Sequence, residues 1–98
     1  MRLTSTARKG FNMKTYPRGS VRIYDNGGKT VDRYTAVYLD QPERQPRTFA
    51  CVGMSEHPFH PQGFGQHSTA TLGRHLGRII SRADLPQDCR ALLKQDGY

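Results

Sequence analysis

Residues 21–39, VRIYDNGGKTVDRYTAVYL, decide the fold. Val21 and Ile23 alternate with Arg22 and Tyr24, the period-two pattern of a strand. Asn26-Gly27 follows, a pair that adopts positive φ at little cost and suits a tight hairpin turn. The run Val31 to Leu39 is rich in β-branched and aromatic residues, so it reads as the returning strand. One face carries Val31, Arg33, Thr35, Val37 and Leu39; the other carries Asp32, Tyr34, Ala36 and Tyr38.

Outward from this hairpin, residues 40–46 form a polar connection with Pro42 and Pro46. A third strand is expected from Arg47 to Val52, with Phe49 and Cys51 on one side. Residues 53–67 cannot be regular: Pro58 and Pro61 lack backbone donors, and Gly63 and Gly65 remove stiffness. Loops of this length in small domains are often functional.

Beyond the loop, Ser68 or Thr69 can cap a helix. Leu72, His75, Leu76, Ile79 and Ile80 would form its apolar stripe. Gly73 and Gly77 weaken such a helix by about 1 kcal/mol each relative to Ala. Gly77 can instead end it, leaving Arg78 to Ser81 extended. Pro86 suits the first turn of a second helix, with Leu85, Cys89, Leu92 and Leu93 as its stripe. The expected fold class is therefore α+β: a three-stranded antiparallel β-meander, a long loop, and two short C-terminal helices on one sheet face. Leu76, Ile80, Leu85, Leu92 and Leu93 are expected to pack against Val37 and Phe49.

The 98 residues suit one domain, with residues 20–98 folded behind a flexible basic arm, residues 1–19. Hydrophobic residues make up 35% of the chain, so the core must be lean. No apolar run approaches the roughly 20 residues of a membrane span, and residues 1–10 lack a signal peptide's apolar segment. A cytoplasmic setting is expected, with Cys51 and Cys89 as free thiols.

Charge is unevenly spread. Residues 1–24 hold Arg2, Arg8, Lys9, Lys14, Arg18 and Arg22 and no acid, which is +6 of the net +7. A basic arm attracts polyanions at long range without sequence preference. Arg22, Tyr24, Arg33 and Tyr34 interleave cations and aromatics on the hairpin, a pattern that can stack unpaired bases; an ordinary amphipathic hairpin gives the same pattern. Arg74, Arg78 and Arg82 recur every four residues, which on a continuous helix is either a phosphate-following ridge or a solvated face.

The loop carries two further constellations. His57, His60 and His67 are zinc-type ligands, but their spacing matches no strong signature and no fourth ligand stands out, so half-exposed loop histidines are the competing reading. Met54, Phe59 and Phe64 could anchor a protein partner. Cys51 beside a histidine would be a nucleophile pair. No Gly-x-Ser-x-Gly, phosphate-binding Walker loop or His-Glu-x-x-His motif is present, so a non-enzymatic role is expected.

Arg33-Tyr34-Thr35-Ala36-Val37, Gly53-Met54-Ser55 with Pro58, Pro61 to His67, Leu72 to Gly77 and Ala83-Asp84-Leu85-Pro86 together resemble small proteins of bacteria and their mobile elements. The resemblance covers about two-thirds of the chain, from residue 33 onward. It implies a bacterial, phage or plasmid setting and carries over no activity and no site residues. The expected function is a nucleic-acid-associated accessory module using Arg2, Arg8, Lys9, Lys14, Arg18, Arg22, Tyr24, Arg33, Tyr34, Arg74 and Arg78. The alternative is a protein-interaction module acting through the 53–67 loop. A metal-binding protein or enzyme built on His57, His60 and His67 comes third.

Overall fold

A computed structural model describes residues 15–98. Among the described residues, five strands form one antiparallel sheet: β1 (Val21–Asp25), β2 (Tyr34–Pro42), β3 (Thr48–Met54), β4 (Gly65–Thr71) and β5 (Arg78–Ile80). Their order is β4-β3-β2-β1-β5. One helix, α1 (Gln87–Gln95), follows, with 3-10 turns at Arg74–Leu76 and Arg82–Asp84.

The hairpin of β1 and β2 forms with the expected alternation. Val21 pairs with Tyr38 and Asp25 with Tyr34. The connection is longer than a two-residue turn, because the second strand begins at Tyr34 and Val31 is left 69% exposed. Gly27 and Gly28 take φ of 80° and 89°. The Asn26 side chain accepts from the Gly28 and Lys29 amides, an Asx-type turn that satisfies loop donors.

The sheet is larger than the three-stranded meander expected from sequence, and one of the two expected helices is absent. Residues 65–71 form β4 instead, paired with β3 from Thr48↔Thr71 to Met54↔Gly65. Thr69 and Thr71 are β-branched and give up little by leaving a helix, while the open edge of β3 offers a full row of backbone partners. Gly73 and Gly77 then confine the remaining helical tendency to one 3-10 turn. After Gly77 the chain runs extended as β5 and pairs with β1, Ile80 opposite Ile23.

The apolar stripe expected of that helix is consequently divided. Ile80 joins Ile23, Ala36, Tyr38, Val52, Met54, Leu85, Cys89, Leu92 and Leu93 in the main core, between sheet and α1. Leu72 and Leu76 lie on the opposite face with Tyr24, Val37, Leu39, Phe49 and Cys51. Val37 and Phe49 thus face away from the helix, and Ile79 is 63% exposed. Cys89, Leu92 and Leu93 are the buried stripe of α1, at the spacing the sequence sets.

Helix α1 ends in a Schellman motif. Gly97, at φ 91°, donates to Lys94 O, and Tyr98 N donates to Leu93 O at 2.8 Å. Tyr98 then stacks on Tyr38, with ring centroids 4.0 Å apart. Of the expected arm, residues 1–14 lie outside the described residues. Within the remainder, Tyr16 packs edge-on against Phe49 at 6.1 Å, and Gly19 N donates to Asp40 at 2.8 Å.

Candidate phosphate-binding cleft

Two halves of the chain meet on the sheet face opposite α1. β1 contributes Arg22 and Tyr24, whose side chains share that face because they alternate with the core residue Ile23. The last third contributes Gly73, Arg74, Gly77, Arg78 and Ile79. Arg47, from the β2–β3 turn, completes the lining of a cleft of about 380 Å³. Arg22, Arg47 and Arg74 therefore surround one concavity, with Arg78 at its margin, where the alternation of β5 turns its side chain to the face of Ile80. Arg22 and Arg74 form no ion pair among the described residues, whereas Arg78 pairs with Asp25, Nη2 to Oδ2 at 3.5 Å.

Asp25 is already engaged. It is 5% exposed and accepts from Arg33 Nε at 2.9 Å, Arg33 Nη2 at 3.2 Å and Gly27 N at 2.8 Å. The Arg33 hydrogen bond holds its carboxyl below the usual range, against the opposing effect of burial. Arg33 also reaches Glu56 at 3.0 Å, so its charge is spent within the fold. The guanidinium lies 5.2 Å from the Tyr34 ring centroid.

The close approach at Gly77 builds the cleft. A Cβ at this position would sit 2.2 Å from Asp25 O, so only glycine lets the Arg74–Leu76 turn press onto the end of β1. Opposite it, Arg47 N–Cα lies in the left-handed region at φ 60°. Its carbonyl accepts from Leu72 N at 2.8 Å, and its guanidinium donates to Leu72 O at 3.3 Å.

The residues expected to bind nucleic acid are thus sorted. Arg22, Tyr24 and Arg74 come together, and Arg47 joins them, while Arg78 borders the cleft and pairs with Asp25; sequence reading missed Arg47 because it lies far away in the chain. Arg18 is exposed near the entry to β1. Arg33 belongs to the Asp25 pair. Tyr24 and Tyr34 are 4% and 5% exposed, which leaves neither ring a free face for a base. Arg2, Arg8, Lys9 and Lys14 lie outside the described residues. The Arg74, Arg78 and Arg82 row is no helical ridge: the three sit on a 3-10 turn, a strand and a second 3-10 turn, where Arg82 donates to Tyr98 O at 2.7 Å.

The histidines do not gather. His57 and His60 line an open cavity of about 430 Å³ with Arg33, Glu56 and Gln62. His67 is carried away on β4, where it lies 2.7 Å from Asp96. Among the described residues no three His, Cys, Asp or Glu side chains are placed to hold a metal ion. Of the loop's apolar residues, Met54 is fully buried and Phe64 partly so, which leaves Phe59, 48% exposed, to meet a partner. Cys51 is buried, its thiol pushed up by desolvation, and its side chain meets Ser68 at 3.4 Å rather than a histidine.

No helix among the described residues is long and apolar enough to cross a membrane. Comparison with protein-family models, with curated proteins and with solved structures found no match.

Proposed function

We propose that this protein is a non-enzymatic nucleic-acid-binding module that grips the phosphate backbone, an accessory protein of the bacterial or mobile-element kind that its sequence resembles. The observation that carries the reading is the cleft ringed by Arg22, Arg47 and Arg74, with Arg78 at its margin. Guanidinium groups match phosphate oxygens in geometry as well as charge. The N-terminal segment adds Arg2, Arg8, Lys9 and Lys14. It joins the described chain next to Tyr16, which packs on the same sheet face as the cleft.

Buried Tyr24 and Tyr34 favour backbone contact over base stacking. Binding of this kind is chiefly counterion release, falls steeply with salt and depends little on sequence. Duplex and single strand should then differ little.

The test is a titration of labelled duplex and single-stranded oligonucleotides at several salt concentrations. The double variant Arg22→Gln/Arg74→Gln should lower the salt slope by about 1.8, at roughly 0.9 per phosphate contact. Absence of binding at low salt would overturn the reading and put the Phe59 loop first, as a protein-binding surface.

A further inference from the structure

We infer that Arg47 is a phosphate-binding residue, held in a strained backbone conformation that aims its guanidinium into the cleft. The inference rests on the nucleic-acid reading above and assigns within it a residue that charge and spacing in the sequence do not single out.

The argument begins with the backbone. Arg47 is the only non-glycine residue at positive φ among the described residues. A side chain there costs energy because Cβ crowds the following carbonyl, and glycine or asparagine would serve the turn better. The fold itself has no need of arginine. Pro46 ends the preceding connection, and Thr48 begins β3 with Thr48 N donating to Gln45 O at 3.3 Å. That turn bond belongs to the main chain and is available to any residue at position 47.

The side chain explains the choice. Arg47 continues the β3–β4 ladder beyond the Thr48↔Thr71 pair, its carbonyl accepting from Leu72 N. The partner carbonyl, Leu72 O, is met by the guanidinium. One Nη2 hydrogen is used in this way. The other N–H groups make no hydrogen bond among the described residues, on a side chain that lines the cleft with Arg22 and Arg74. A carbonyl thus fixes the fork before ligand arrives, which lowers the rotamer freedom lost on binding. Strained non-glycine residues cluster at ligand sites for this reason.

The experiment uses the full chain, Arg47→Gly and Arg47→Gln, and a labelled duplex titrated between about 50 and 200 mM salt. Arg47→Gly relieves the strain and should leave the thermal midpoint equal or higher. Arg47→Gln keeps the backbone conformation and a donor for Leu72 O while removing the charge, and should melt as the wild type does. Both should lose about 0.9 from the salt slope and bind about eightfold more weakly near 0.1 M salt, the weight of one phosphate contact. Wild-type slope and affinity in both variants would overturn the inference, and would leave the cleft standing if Arg22→Gln/Arg74→Gln still weakens binding. If that double variant also binds normally, the cleft reading itself falls. A lowered midpoint with unchanged slope would make Arg47 a turn residue only.

Discussion

Asp25 and Arg33 form a two-point ion pair, Nε to Oδ1 at 2.9 Å and Nη2 to Oδ2 at 3.2 Å, with the carboxylate almost wholly buried. The pair closes the open end of the β1–β2 hairpin, where Asn26 N also donates to Arg33 O. It takes the place of the tight turn that Asn26-Gly27 suggests.

Because the Asp25 carboxyl is lowered by Arg33, its contribution has a definite sign with pH. The folded value lies below the unfolded one, so the stabilisation is fully present above an unfolded pKa of about 3.9 and is lost as pH falls through the folded value. Asp25→Asn should cost about 1.5–3 kcal/mol at pH 7, the range for hydrogen bonds to charged groups. The gap from wild type should shrink toward acid pH. Denaturant titrations at pH 7 and below pH 4 check this; a gap independent of pH would contradict it.

Two glycines at positive φ should differ in their tolerance. Gly27 has open space at its Cβ position, whereas a Cβ on Gly77 would collide with Asp25 O and Asn26 Cα. Gly27→Ala should cost about 1–2 kcal/mol, from the left-handed backbone alone. Gly77→Ala should cost clearly more and should also weaken oligonucleotide binding, since it displaces Arg74 and Arg78 from β1. Equal melting temperatures for the two variants would show that the contact at Gly77 is not tight.

The division of the core sets a second contrast. Leu93 is fully buried on the core face of α1, whereas Leu76 is partly exposed on the far face of the sheet. Leu93→Ala should cost about 2–5 kcal/mol, a large share of the stability of a domain this size. Leu76→Ala should cost less. Chemical denaturation of both variants distinguishes this arrangement from one in which Leu76 and Leu93 share a core.

Both thiols should be inert in the native state. Cys89 is fully buried, donates to Ser55 O at 3.1 Å and has its pKa pushed up to about 11 by desolvation; Cys51 is buried and raised in the same direction. Thiolate is the reactive form, so alkylation at pH 8 should be slow until denaturant is added, when two thiols per chain should react. Rapid modification of folded protein would show that one site opens readily.

The local signals in the sequence were reliable where one interaction dominates. Val21 to Tyr24 and Tyr34 to Leu39 alternate as the sheet requires, and Pro86, Cys89, Leu92 and Leu93 place α1. Residues 65–80 misled because two patterns overlap there. Leu72, Leu76 and Ile80 lie at helical spacing, yet Leu72 and Ile80 are buried on opposite faces of a sheet. What decides the matter is the free edges of β3 and β1, which no local window contains. The cleft was half legible for the same reason: Arg22, Arg74 and Arg78 stand out by charge, but Arg47 joins them only through the Leu72 contact.

The pairing of β5 with β1 gives the cleft a place in folding. Tyr24 and Ile79 are neighbours across strands although more than half the chain lies between them. Such a non-local pair carries a large loop-closure cost and tends to form late. Arg22 and Tyr24 are on one partner, and Arg74 and Arg78 flank or lie on the other, so the cleft exists only once this closure is made. A polyanion that binds it draws the chain toward the closed sheet, by about 2.7 kcal/mol at a hundredfold excess over Kd. The ligand would then act as a clasp on the last strand, and its effect should be seen in hydrogen exchange at β5 before it is seen anywhere else.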